Sequence, residues 1–212
     1  MDSIADLCSA FEGTYAGQAM RALSELYSQI EQETTEFCKQ HQIACGEGCG
    51  TCCEHFMPDI TTSEARLVAA YLLFVKKDKA LLERVQAFAG NTTGPCPLYR
   101  FDSPYHCSVY AARPLICRLF GACASQDKKG NALFRRCKYN KEETMPLLLK
   151  FSNDVPVMQD YSYALRSLDD REGTVGYLPE KVASMMDQLQ FLARMLDFDD
   201  SNPDDTPNPL AS

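Results

Sequence analysis

Cys45-Gly46-Glu47-Gly48-Cys49-Gly50-Thr51-Cys52-Cys53 places four cysteines and three glycines in nine residues. Thiolate sulfur is a soft, strong donor for zinc and for iron–sulfur clusters. The interleaved glycines let the backbone take positive φ and curl, which a loop needs if several sulfurs are to point at one centre. Beyond this run come Cys96, Cys107, Cys117, Cys123 and Cys137, so nine of the eleven cysteines lie between positions 45 and 137. The expected metal ligands are therefore Cys45, Cys49, Cys52, Cys53, Cys96, Cys107, Cys117, Cys123 and Cys137. The set exceeds one four-sulfur site, so either there are two sites or part of the set is spare. Adjacent side chains diverge on a helix and on a strand. Cys52 and Cys53 are thus expected to serve two centres, or one to ligate while the other packs.

The spacing bears on which metal. Zinc ribbons and fingers present two separate two-cysteine knuckles. Here the cysteines come as one run followed by a remote Cys96-Pro97, which is closer to the iron–sulfur pattern. Zinc or iron is expected, with an iron–sulfur cluster slightly favoured. Cys45, Cys49 and Cys52 also match the spacing of radical S-adenosylmethionine enzymes. Against that, Thr51 stands where those enzymes usually carry an aromatic residue, and the chain lacks the strand–helix repeats of a partial barrel. His55 and His106 lie close to cysteines and are in reach to ligate or support a ligand. For each alone, an ordinary packed or surface histidine is the plainer reading, and His41 is given no role. Arg113 and Arg118 flank Cys117. They would either balance the negative charge of a thiolate centre or form surface ion pairs. No Ser-His-Asp order, phosphate loop or dinucleotide glycine pattern is present, and no catalytic residue is assigned.

Composition sets the class. Lys and Arg total 21 against 29 Asp and Glu, a net charge of −8, which argues against nucleic acid or an anionic membrane as partner. Apolar residues make up 45% of the chain, enough to bury a core. Met1–Asp6 has neither a basic region nor an apolar run of the signal-peptide kind. No stretch approaches the roughly 18–20 apolar residues of a membrane helix. A reduced, cytoplasmic setting is expected, where clustered cysteines are metal ligands more often than disulfides.

The flanks read as helices. Apolar residues from Ile4 to Phe37 recur at three- and four-residue steps, predicting one long helix over 3–39 or two with a break near Gly13 and Gly17. Ser3 with Asp6 and Thr61 with Glu64 are capping signals. Cys8 and Cys38 fall on or near the first stripe and are expected to pack as small hydrophobes. A helical pattern follows Thr61, with Asp78 as a break or second start and Gly90 as a stop. Residues 96–99 and 107–110 read as two short strands, 114–120 as a short helix opened by Pro114, and 127–131 as a turn. Helices are predicted over 156–170 and after Pro179. The expected fold is mainly α, with helices packed around a cysteine-rich, metal-stabilised middle with short β-hairpins. It forms a single domain over 1–198: an N-terminal helical segment at 3–39, a metal-binding core at 45–137 and C-terminal helices at 141–198. A disordered acidic tail over 199–212 completes the chain.

The ordered set Cys45-x3-Cys49-Gly50-x-Cys52-Cys53, Cys96-Pro97-Leu98, Cys107-Ser108-Val109-Tyr110 and Arg113-Pro114-x-x-Cys117-Arg118 resembles the YkgJ-type cysteine-cluster (CxxCxxCC) proteins, described as carrying a zinc- or iron-chelating domain. The resemblance covers roughly 45–120. It implies chelation through Cys45, Cys49, Cys52, Cys53, Cys96, Cys107 and Cys117; Cys123 and Cys137 are added by proximity. A related cysteine region occurs in longer flagellin lysine N-methylases, linked to an iron–sulfur cluster and S-adenosylmethionine. The expected function is metal binding through clustered thiolates. The alternatives are a methyltransferase-like enzyme of that kind and a thiol redox sensor using Cys52 and Cys53.

Overall fold

A computed structural model describes residues 1–44, 49–102, 106–138, 140, 146–151, 155–168 and 174–196. Cys45 and the tail expected to be disordered, 199–212, lie outside the described residues.

The N-terminal stripe forms two helices. In α1 (Ile4–Ala10), Ser3 Oγ accepts from the Asp6 amide while the Asp6 carboxylate accepts from the Ser3 amide, a complete capping box. The chain reverses through Gly13, whose φ is +79°, and Thr14 caps α2 (Tyr15–Gln40) by accepting from the Gly17 amide. Gly17 allows the close approach of the two helices, since a Cβ there would stand 2.1 Å from the Phe11 carbonyl oxygen. The face carrying Met20, Leu23, Tyr27 and Ile30 is buried.

After the cysteine run come a short helix, α3 (Thr51–His55), and a two-residue strand, β1 (Asp59–Ile60). The next helix, α4 (Thr62–Ala70), is buried along its whole length. Its Thr61–Glu64 capping box is present as expected. The helix continues as a π-helical segment, Tyr71–Lys76, closed by Lys77 in the left-handed region. Asp78 then caps α5 (Lys79–Ala87), so the predicted break is real and starts a second helix.

The middle is only partly as expected. Residues 96–99 and 107–110 do not form a hairpin; a single bridge joins Tyr99 and Cys107, and Tyr110–Ala112 is a 3-10 turn. Pro97 lacks the amide that a strand ladder would use. The short helix α6 (Leu115–Leu119) follows Pro114. Then β2 (Ser125–Gln126), β3 (Ala132–Arg135) and β4 (Leu148–Phe151) form an antiparallel sheet in that order, with Ala132 opposite Phe151. The predicted turn lies between β2 and β3, where Asn131 O accepts from the Asp127 amide. The strand β4 was not expected, because 141–198 reads as helical.

The last helices are α7 (Met158–Ser167) and α8 (Leu178–Met195), the latter with Pro179 in its first turn. Just before α8, β5 (Gly176–Tyr177) pairs with β1. The principal packing is α8 against α4, with α2 and α5 around them. The main apolar core runs from Leu7 to Ala193 and takes in Leu98, Val109, Ala112, Leu115 and Leu119. Ordinary apolar packing thus holds part of the middle region. A second cluster gathers Phe37, Ile43, Ala124, Phe134 and Val157 at the end of α2. Among the described residues, no helix is long and apolar enough to cross a membrane.

Candidate metal centre

Four segments deliver cysteines to one place. Cys49 precedes α3 and Cys52 and Cys53 lie on it; Cys96 and Cys107 come from two separate arms of the chain between α5 and α6, and Cys117 from α6. All six line a single pocket of about 280 Å³. The segments are tied by backbone bonds: the Cys96 amide donates to Cys53 O at 3.0 Å, and the Ser108 amide to Leu98 O at 3.0 Å. The α3 turn also needs Gly50, because a Cβ there would stand 2.3 Å from His106 Cβ.

Cys52 and Cys53 do not diverge as neighbours on a regular helix would. Their sulfurs are 4.0 Å apart. Two thiolates on one tetrahedral zinc, with bonds of about 2.3 Å, stand about 3.8 Å apart, so the pair is compatible with one shared ion. With a proton held between them, Cys52 falls to about 6 through the bond to Cys53. The Cys53 thiol, by the same bond, is pushed far upward.

The deeper thiols favour their neutral form. Burial raises Cys96 to about 12; it also raises Cys107, and Cys117 well above the ordinary value. A thiol out of water ionises readily only when positive charge replaces the lost hydration. Ligation requires the thiolate, so binding here would release protons and strengthen with pH. The ten described cysteines are free thiols. Those that line the pocket form a wall and not a closed cage: among the described residues, no group of three or more His, Cys, Asp and Glu side chains is already arranged to hold an ion. The donors themselves, six soft sulfurs from positions 49–117 with that of Cys38 at the border of the same cavity, fit zinc or iron.

The other expected ligands lie elsewhere. Cys123 is buried in the core, its sulfur donating to Leu119 O at 3.8 Å. Cys137 lies beside Gly121, a residue of the pocket lining. His55 faces a different cavity, with Thr92 and Tyr177. His106 packs on Gly50 and holds Nδ1 3.0 Å from Arg100 O. His41 packs at tilted and edge-on angles against Phe37 and Phe151. Cys8 packs in the main core as expected. Cys38 packs against the second cluster but also borders the sulfur pocket, its thiol donating to Ala122 O at 3.4 Å. Its position two residues from the end of α2 gave no hint of that second role.

Sequence reasoning treated Glu64 only as a cap, and the structure gives it more to do. Its buried carboxylate accepts from the Thr61 amide at 2.7 Å, the Tyr27 hydroxyl at 2.9 Å and the Leu115 amide at 2.6 Å. It therefore fixes the start of α6, the helix that carries Cys117. Burial nevertheless raises its pKa, against those three bonds. Arg118, within the same helix, ties it to the turn before it. Its guanidinium lies 4.1 Å from the Tyr27 ring centroid and donates to the carbonyls of Arg113 and Ala111 at 2.9 and 2.6 Å.

Residues 44–143 match the family CxxCxxCC, whose description is "Putative zinc- or iron-chelating domain". The matched span holds every cysteine of the pocket except Cys38. No curated protein and no solved structure matches the chain.

Proposed function

We propose that this protein binds zinc or iron through thiolates of Cys49, Cys52, Cys53, Cys96, Cys107 and Cys117. Cys45 belongs to the same run by sequence. The observation that carries the proposal is the convergence of six cysteines from four segments on one pocket. The family description supports the chemistry. Seven thiols exceed the four donors of one tetrahedral ion and equally of one iron–sulfur cluster, so either two centres share the set or part of it is spare. Cys123 and Cys137 lie outside the pocket lining and would join only a second centre.

The test is anaerobic purification followed by zinc, iron and acid-labile sulfide determination on wild type and Cys52→Ser. Stoichiometric metal that is lost in the variant is the expected result. Iron with equimolar sulfide identifies a cluster, and zinc without sulfide a simple chelate. Wild-type protein purified anaerobically without metal, or a variant with full metal, overturns the proposal.

A further inference from the structure

The sulfur pocket has more room and more apolar lining than a thiolate-held cation requires. Its volume of about 280 Å³ sits near the lower end of small-molecule sites, roughly 300–1,000 Å³. Bonds of about 2.3 Å would confine an ion to the neighbourhood of the sulfurs. The rest of the lining includes Phe56, Tyr110, Ile116 and Phe120. The Phe56 and Phe120 rings pack with centroids 6.1 Å apart. Tyr110 and Phe120 are 38% and 39% exposed, so the aromatic part of the lining reaches solvent.

Arg113 stands among these rings. Its guanidinium carbon lies 3.8 Å from the Tyr110 ring centroid, and one terminal nitrogen donates to the Tyr110 carbonyl at 3.2 Å. Those contacts fix the plane of the group. Its Nε and other terminal nitrogen form the side-on fork that matches a carboxylate. Among the described residues, no carboxylate lies within ion-pair distance of Arg113. Arg118, the other guanidinium in the lining, is committed to backbone carbonyls and to Glu31 at 3.5 Å.

We infer that the pocket takes a second ligand, a small molecule with an aromatic or apolar body and a single carboxylate. The body packs on Phe56, Tyr110 and Phe120, and the carboxylate is held by Arg113. This inference rests on the metal-site reading for the negative centre that disfavours more highly charged anions. Phosphate would bring extra negative charge towards the thiolates. A neutral analogue would leave the donors of Arg113 unpaired where the ligand body excludes water.

Calorimetric titration of the purified full chain with 3-phenylpropionate, 3-phenylpropionamide and inorganic phosphate tests this, with metal content measured on the same samples. The acid is expected to bind at least about tenfold more tightly than the amide or phosphate. Arg113→Ala is expected to weaken it about tenfold or more, and Arg113→Lys by less, with metal content unchanged in both. Wild type that does not bind the acid, or that binds acid and amide equally, overturns the inference. So does loss of metal in Arg113→Ala, which would assign Arg113 to the charge of the thiolates. Metal-free wild type that still binds the acid through Arg113 would refute the metal-site reading while supporting the carboxylate pocket.

Discussion

Gly50 caps α3 with φ −121°, a conformation open to any residue. Replacing it is therefore a question of space alone. A Cβ at Gly50 would stand 2.3 Å from His106 Cβ and 2.9 Å from two ring atoms of His106. Carbon atoms ordinarily pack at about 3.5–4.0 Å, so one partner must retreat by on the order of 1 Å. His106 has little freedom to do so. Its φ is +50°, its Nδ1 is 3.0 Å from Arg100 O and its carbonyl accepts from the Arg100 amide at 3.1 Å. Overpacking costs about 1–3 kcal/mol, and the tethering of His106 places Gly50→Ala near the top of that range. His106→Gly removes the obstacle and suits the positive φ. In that background Gly50→Ala should cost less than about 0.5 kcal/mol, giving a coupling energy of about 2.5 kcal/mol. Urea unfolding of the four proteins measures this, with metal-to-protein ratio as a second readout, because moving α3 moves Cys52 and Cys53. A Gly50→Ala variant within about 0.5 kcal/mol of wild type, or a double variant without recovery, would overturn the steric account.

Gly17→Ala should be worse than Gly50→Ala, about 2–4 kcal/mol, because the obstructing atom is a backbone oxygen 2.1 Å away and cannot rotate aside; equal urea midpoints for variant and wild type would count against it. Glu64→Gln should change how stability depends on pH. The folded pKa of Glu64 lies above its ordinary value of 4.5, so the native state holds that proton more tightly, and stability falls as pH rises from the unfolded value through the folded one. The wild-type advantage over the variant should therefore shrink with rising pH in that window, and a constant difference from roughly pH 4 to pH 8 would contradict it. Cys8→Ala should leave metal content unchanged, since its thiol is buried in the apolar core, and a lost equivalent would show that the first helix reaches the centre.

Much of the helical frame was readable from the sequence because capping and periodicity are local. Ser3, Thr61 and Asp78 each mark a helix start that the structure contains. Pro114 and Pro179 stand where short and long helices begin. The matched domain was likewise legible from the spacing of its cysteines. What escaped depends on partners remote in the chain. The strand β4 is set by pairing with β3, and its Leu-Leu-Lys-Phe sequence shows no clean alternation. The closeness of the Cys52 and Cys53 sulfurs depends on side-chain rotamers, which the backbone step between neighbours does not specify. Cys38 borders the pocket because α2 ends beside Ala122, 84 residues further along the chain. The role of Glu64 at α6 is a contact across 51 residues, invisible to any local pattern.

The sulfurs of the pocket are not equally placed towards solvent. Of the described cysteines that line it, Cys49 alone is exposed, and the others are at least partly shielded. Shielding also keeps Cys96 and Cys117 protonated, a form poor at attacking electrophiles. An alkylating reagent or an arriving cation therefore encounters a doorstep residue first, with Cys96 and Cys117 as the unreactive sulfurs behind it. Brief labelling with iodoacetamide followed by peptide mapping should mark Cys49 ahead of Cys96 and Cys117, so that the order of modification follows the depth of each sulfur in the pocket.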